Sequence, residues 1–320
     1  MDGTDKGANS VALLETMMLV RAFEVQNRAL NAAGDFPGTC TSIGQEAAAV
    51  GVVAALGRQD QILTNHRSAG HLLARGADPG RLLAEIMGRS TGYCKGKSGS
   101  LHISAKELGV ILTSTIVGGE LSLATGVALS LSMQSSEGIV ACLFGDGAAT
   151  EGIFHESVNL AAVWNLPVLY VCENNQWQAY VHRRETMLTD KIATRAAAYG
   201  IEGITVDGND VEAVYAATRE AVASIRKNRK PILLETYTYR TSGHVEPDDL
   251  AYVDPAELAA WRTRDPIELL KNRLLERNAI TADGIERMQE RIANRLAEAL
   301  TFAKVSPFPA LSELTTDVYA

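Results

Sequence analysis

Two short polar clusters in this 320-residue chain combine residue types that could hold a metal ion beside a phosphate: Gly145-Asp146-Gly147 and Glu173-Asn174-Asn175. Each follows an unbroken apolar run, residues 139–144 in the first case and 168–172 in the second. Glycines on either side of an aspartate let backbone come close to a ligand, and the helix start beyond offers free N–H groups to an anion. Magnesium takes oxygen ligands in an octahedron, commonly a carboxylate together with phosphate oxygens. Asp146 supplies a carboxylate and the Asn175 amide oxygen a second ligand. Each cluster alone also reads as a tight turn, where Asp-Gly is a favoured pair. Together, at neighbouring strand ends, they are more specific than either.

The elements that must position them follow from the apolar pattern. Residues 139–144 and 168–172 read as strands buried on both faces. Between them, Phe154, Val158, Ala161 and Ala162 share one helical face across 150–164, and Pro167 ends that helix. Strand, helix, strand implies a right-handed crossover between parallel strands. Asp146 and Asn175 then meet at the carboxyl edge of one sheet, where open parallel sheets bind ligands. Runs at 203–206 and 232–239 repeat the theme, leading into Asp207-Gly208-Asn209-Asp210 and Arg240-Thr241-Ser242-Gly243-His244.

Upstream, the spacing predicts a helix over 11–33, a loop over 34–44 and a small-residue helix over 45–56. A short apolar run at 61–64 stops at Asn65-His66-Arg67. Residues 88–102 hold glycines 88, 92, 96 and 99 with Lys95 and Lys97, which fits only a loop, either ligand-gripping or a surface excursion. From 255 onward the chain reads as helical and ends in a proline-containing tail at 306–310.

Composition narrows the class. With 46% hydrophobic and 21% charged residues the chain can bury a sizeable core, which excludes disordered, collagen-like and disulfide-scaffold readings. The net charge of −8, without a basic block, argues against a nucleic-acid or anionic-membrane binder. Four widely spaced cysteines without a CxxC suit a reducing, cytoplasmic setting, and Cys142 and Cys172 sit in apolar runs as small hydrophobes. No uninterrupted apolar stretch is long enough for a membrane span. Neither GxGxxG nor GxxxxGK[ST] occurs at a strand-to-helix turn, which disfavours a plain nucleotide-binding enzyme.

The Gly-Asp-Gly, the interval from 146 to 175 and the Asn-Asn together resemble the thiamine-diphosphate signature. The surrounding GDGAATEGIFHESVNLAAVWNLPVLYVCENN is similar to the alpha subunit of the decarboxylating component of 2-oxo acid dehydrogenase complexes, a family that includes pyruvate, branched-chain and acetoin dehydrogenases. GRSTGYCKGKSGSLHI, STIVGGELSLATGVA and ETYTYRTSGH resemble further segments of it, so the likeness spans roughly residues 11–310.

The resemblance implies an α/β fold, a mainly parallel sheet flanked by helices: one diphosphate-binding-type domain over 1–320. Within it, 1–60 would form a helical arm, 61–245 the core, and 246–320 a loop with a helical extension. It also implies thiamine diphosphate and Mg2+ as cofactors. Asp146, Asn175 and the backbone carbonyl of Trp177 would hold the metal. Gly145, Gly147, Ala148 and Arg67 would meet the diphosphate, Thr115 and Val117 the aminopyrimidine, and His244 the diphosphate or the reacting centre. His66 and His244 are the candidate catalytic residues. A beta subunit would carry the pyrimidine-binding domain and its glutamate, for which this chain has no room, giving an α2β2 assembly. The acyl acceptor would be a lipoyl-bearing acyltransferase.

The chain departs from the family near the substrate. His66 replaces a tyrosine, Ala69 a histidine (with His71 following), Gln176-Trp177-Gln178 the usual Gly/Arg-Tyr-Gly, Ser242 a histidine, and Tyr252-Val253 a Tyr-Arg pair. These changes keep two other readings open: a carboligase or acyl-transfer subunit of a biosynthetic pathway without a lipoyl partner, and a non-catalytic subunit retaining the fold.

Overall fold

The computed structural model describes residues 3–317, with side chains described from residue 9 onward. In chain order the elements are α1 (Gly3–Ala32), α2 (Glu46–Ala54), β1 (Gln61–Asn65), α3 (Ala69–Ala74), α4 (Pro79–Ile86), β2 (Val110–Ser114), α5 (Gly119–Met133), β3 (Val140–Gly145), α6 (Gly152–Val163), β4 (Val168–Asn174), a short hairpin of β5 (Trp177–Gln178) and β6 (Val181–His182), β7 (Glu202–Asp207), α7 (Val211–Asn228), β8 (Ile232–Tyr237), α8 (Pro255–Arg262), α9 (Pro266–Glu276) and α10 (Ala282–Val305).

Six strands form one parallel sheet in the order β2-β1-β3-β4-β8-β7. Side chains alternate across it as the pleat requires. Ala141, Leu143, Leu169, Val171, Ile232 and Leu234 face a core shared with α1, α2, α7, α9 and α10. Val140, Cys142, Phe144, Val168, Tyr170, Cys172 and Leu233 face a second core under α5 and α6. Both faces are covered, so the central strands read as continuous apolar runs rather than as alternating ones. The fold class expected from the sequence is therefore the one found. Cys142 and Cys172 are buried free thiols among these apolar residues.

Several boundaries differ from the sequence expectation. The first helix begins at Gly3 rather than 11. The strand expected over 232–239 ends at Tyr237. A 3-10 turn, Ala148–Thr150, stands between β3 and α6, which starts at Gly152. The apolar run at 61–64 is a strand, and β2 beside it at the sheet edge was not anticipated. Its middle residue is half-buried and Ile111 is exposed, so it lacks the continuous apolar signature of its neighbours.

Helix starts carry local chemistry legible in the chain. Asp78, Asp210, Asp254, Asp265 and Thr281 each accept a backbone N–H at an N-cap, and Pro79, Pro255 and Pro266 open their helices. At the amino edge of the sheet, away from those strand ends that carry the polar clusters, Asp60 is fully buried. Its carboxylate accepts from Ile139 N at 3.0 Å, Gly57 N at 2.7 Å and Arg226 at 2.6 Å. Asp60→Ala strands all three donors and should cost about 2–4 kcal/mol of stability. Chemical denaturation of the full chain reads this directly, and a loss below about 0.5 kcal/mol would show the tie is dispensable.

Candidate functional site

The strand order places β1 between β2 and β3, so the chain reverses direction across the sheet there, and a crevice opens beyond the carboxyl ends. Every candidate residue from the sequence lines that crevice, a cleft of about 420 Å³. His66 and Arg67 follow β1, Thr115 and Val117 follow β2, Gly145, Asp146, Gly147 and Ala148 follow β3, Asn175 and Trp177 follow β4, and His244 follows β8.

Asp146 is 1% exposed, and its Oδ2 has no hydrogen-bond partner. Burial pushes its carboxyl up to about 6, against the pull of Arg240 and Arg183. Trp177 N can only donate, so the Asn175 oxygen it approaches at 3.1 Å is Oδ1, while Nδ2 donates to Gln45 Oε1 at 2.9 Å. One lone pair of that amide oxygen is left. A Cβ at Gly145 would meet nothing within 4 Å, so open space lies over the end of β3. Among the described residues no cluster of three or more His, Cys, Asp or Glu side chains could hold a metal. The donors here are one carboxylate and one amide, a set that suits a hard cation taking its other ligands from phosphate, backbone and water.

Two buried guanidinium groups line the same cleft. Arg67 donates to Thr41 O at 2.7 Å and to His244 O at 2.9 Å, with His244 Nδ1 at 3.1 Å. Arg240 donates to Ala179 O at 2.7 Å and Tyr252 Oη at 2.9 Å, with His244 Nδ1 at 3.5 Å. Among the described residues neither pairs with a carboxylate. Burial, then the like charge of Arg240, brings Arg67 down to about 10. Guanidinium has no lone pair to offer, so His244 Nδ1 must accept, which puts the imidazole proton on Nε2. Burial and the two arginines hold His244 down at about 4, and burial with Arg67 holds His66 at about 3. Both rings are neutral near pH 7, their centroids 6.0 Å apart, and His66 Nε2 lacks a partner.

The pyrimidine-side candidates are placed by a glycine. Gly118 sits at φ +78°, and a Cβ there would lie 2.7 Å from Ile153 Cγ2. The turn leaves Ile116 and Val117 69% and 55% exposed, while the Thr115 hydroxyl meets His102 Nε2 at 3.0 Å. Sequence reasoning gave no role of their own to Arg240, Glu120 and Glu173, which also line the cleft. Glu120 has a partnerless Oε2, and burial pushes its carboxyl up to about 7. The one available signal was position: Arg240 and Glu173 are charged residues at or just past the end of an apolar run.

A protein-family model described as "Dehydrogenase E1 component" matches residues 15–312. The chain is 41% identical over 309 residues to the alpha subunit of acetoin:2,6-dichlorophenolindophenol oxidoreductase of Bacillus subtilis, covering 96% of this chain and 92% of the relative. It is 39% identical over 304 residues to the pyruvate dehydrogenase E1 component subunit alpha of Rhizobium meliloti, covering 94% and 87%. The acetoin subunit of Cupriavidus necator matches at 36% over 305 residues, covering 95% and 92%.

The folded values of His66 and His244 lie below the 6.5 of an unburied imidazole, so the unfolded chain binds more protons in acid. Stability from this source is complete above about 6.5 and is lost as pH falls towards the folded values. His66→Asn should therefore flatten the drop in melting temperature between pH 7 and 5. An unchanged slope would show that His66 is not a buried neutral group.

Proposed function

The chain belongs to the dehydrogenase E1 component family, and we propose that it is the alpha subunit of a thiamine-diphosphate- and magnesium-dependent dehydrogenase acting on a 2-oxo acid or acetoin. The observation that carries the reading is charge arrangement. A buried carboxylate with a free oxygen, Asp146, lines the same cleft as two buried guanidiniums without carboxylate partners. Such a cleft is complementary to a cation bound to a diphosphate.

The residues fit that group. Asp146, Asn175 and the Trp177 carbonyl would hold magnesium. Backbone at Gly145, Gly147 and Ala148 and the Arg67 guanidinium would receive the diphosphate. Thr115 and Val117 would flank the aminopyrimidine. When bound, the cofactor supplies the nucleophilic carbon and the electron sink for cleavage beside a carbonyl. His244, its Nδ1 engaged by two arginines, keeps a proton on Nε2 to donate to phosphate or to the reacting centre. His66, neutral and unpaired at Nε2, can take or give a proton at the cleft wall.

A beta subunit completes the site in this reading. Ile116, Val117 and Leu123 are exposed apolar side chains on the turn beside the cleft and the helix after it, the kind of surface a partner chain covers. The partner would bring the carboxylate that activates the cofactor, and a lipoyl-bearing acyltransferase would receive the acyl group. Free thiols at Cys40, Cys94, Cys142 and Cys172 support a cytoplasmic setting, and no described helix is long and apolar enough to cross a membrane.

Asp146→Ala, co-purified with the beta partner, should weaken thiamine-diphosphate binding by about a hundredfold or more in magnesium, with little change in melting temperature. Unchanged affinity would remove Asp146 from the site. Product analysis then separates the catalytic readings: acyl transfer that requires an added lipoyl domain marks a dehydrogenase, whereas carboligation without one marks the biosynthetic alternative.

A further inference from the structure

Glu173 lines the cleft, is 5% exposed and has no part in the roles assigned above. It leaves β4 and reaches past the end of β3, where Gly145 is its register partner, to residues at and just after the end of β1. Its Oε2 accepts from Asn65 Nδ2 at 3.2 Å, and Oε1 lies 2.8 Å from His71 Nε2. Asn65 Oδ1 in turn accepts the Arg67 N–H at 2.8 Å, and the Thr64 hydroxyl lies 2.8 Å from His71 Nδ1.

The polarity of the bonds that meet at Glu173 and Asn65 is fixed. The Arg67 N–H can only donate, so Asn65 turns its oxygen to Arg67 and its NH2 to Glu173. A carboxylate oxygen at 2.8 Å requires a proton on His71 Nε2, and the Thr64 hydroxyl, which can donate or accept, meets Nδ1 in either state of the ring. Two donors therefore converge on residue 173, and only an acceptor-only side chain satisfies both.

We infer that Glu173 and His71 form a positioning unit that orients Asn65 and so locks the turn carrying His66 and Arg67 against the end of β4. Its effect on cofactor binding rests on the reading of Arg67 as a diphosphate ligand. Glu173 acts through Asn65, not by contact with the cofactor. A bare negative charge at 173 would not depend on this polarity.

The test uses the chain co-purified with its beta partner, titrated with thiamine diphosphate in magnesium. Glu173→Gln turns an NH2 towards one of the two donors and should weaken binding about tenfold, the scale of one lost charge-assisted hydrogen bond. Asn65→Asp combined with Glu173→Gln restores every pair: the new carboxylate accepts from Arg67 and from the new amide, whose carbonyl accepts from His71. This double variant should return to within about threefold of wild type, a non-additivity that only coupled groups give. His71→Gln keeps a donor near Nε2 and should bind almost normally, whereas His71→Asn keeps only the Thr64 contact and should behave like Glu173→Gln.

Hydrogen exchange across residues 65–72 without cofactor reads the same tie independently. It should quicken in Glu173→Gln and His71→Asn and revert in the double variant. A neutral Glu173→Gln in both measurements, or a folded double variant no better than the single one, overturns the inference. If the wild-type complex binds no thiamine diphosphate, the cofactor reading fails, and exchange alone decides the positioning unit: quickening with reversal supports it, and its absence overturns it.

Discussion

All six strands of the sheet run the same way, and the rest of the molecule depends on that. Parallel pairing forces each connection to cross back over a face, so both faces are covered by helices and the polar strand ends collect at a single edge. Gly145 pairs with Glu173 and Asn174 with Tyr237 in register, which brings Asp146 level with Asn174, one residue before Asn175, and near the segment that carries Arg240 and His244. A shift of one residue in either pairing would turn alternate side chains to the wrong core and separate the donors.

The edge so formed is electrostatically incomplete. Among the described residues Asp146 keeps an unpaired oxygen, Glu120 another, and Arg67 and Arg240 donate only to neutral acceptors. Buried groups of this kind cost stability unless something compensates them, and natural interiors seldom keep them without a function. Both signs line one cleft, carboxylates beside the ends of β2 and β3 and guanidiniums beyond β1 and β8. That mixture matches a ligand whose own charges are divided between a cation and an anion.

Rigidity around the cleft comes from carboxyl groups that each accept several hydrogen bonds. Glu24 accepts the Ser42 N–H and hydroxyl beneath the loop that offers Thr41 O to Arg67. Asp248 accepts the His244 N–H and the Tyr252 hydroxyl, and so braces the segment after β8. Site residues with open valences thus stand on segments tied down by several hydrogen bonds, which keeps a poorly satisfied site in one geometry.

Much of this was legible in the chain. The continuous apolar runs marked β3, β4 and β8 because burial on both faces leaves no polar position, and the glycines and asparagines that interrupt those runs marked the site. Aspartates and prolines marked helix starts through local bonds that need no tertiary context. The edge strand β2 escaped, because a strand exposed on one side and only five residues long carries little periodic signal. What the sequence by itself determined was therefore which segments are strand or helix and which residue types gather where strands end. Only the tertiary structure decided that Arg240 lacks a carboxylate, that His244 keeps its proton on Nε2, and that Glu173 reaches past β3 to Asn65. Those facts depend on which atoms lie within about 3 Å across strands distant in sequence, and no local pattern along the chain encodes that distance.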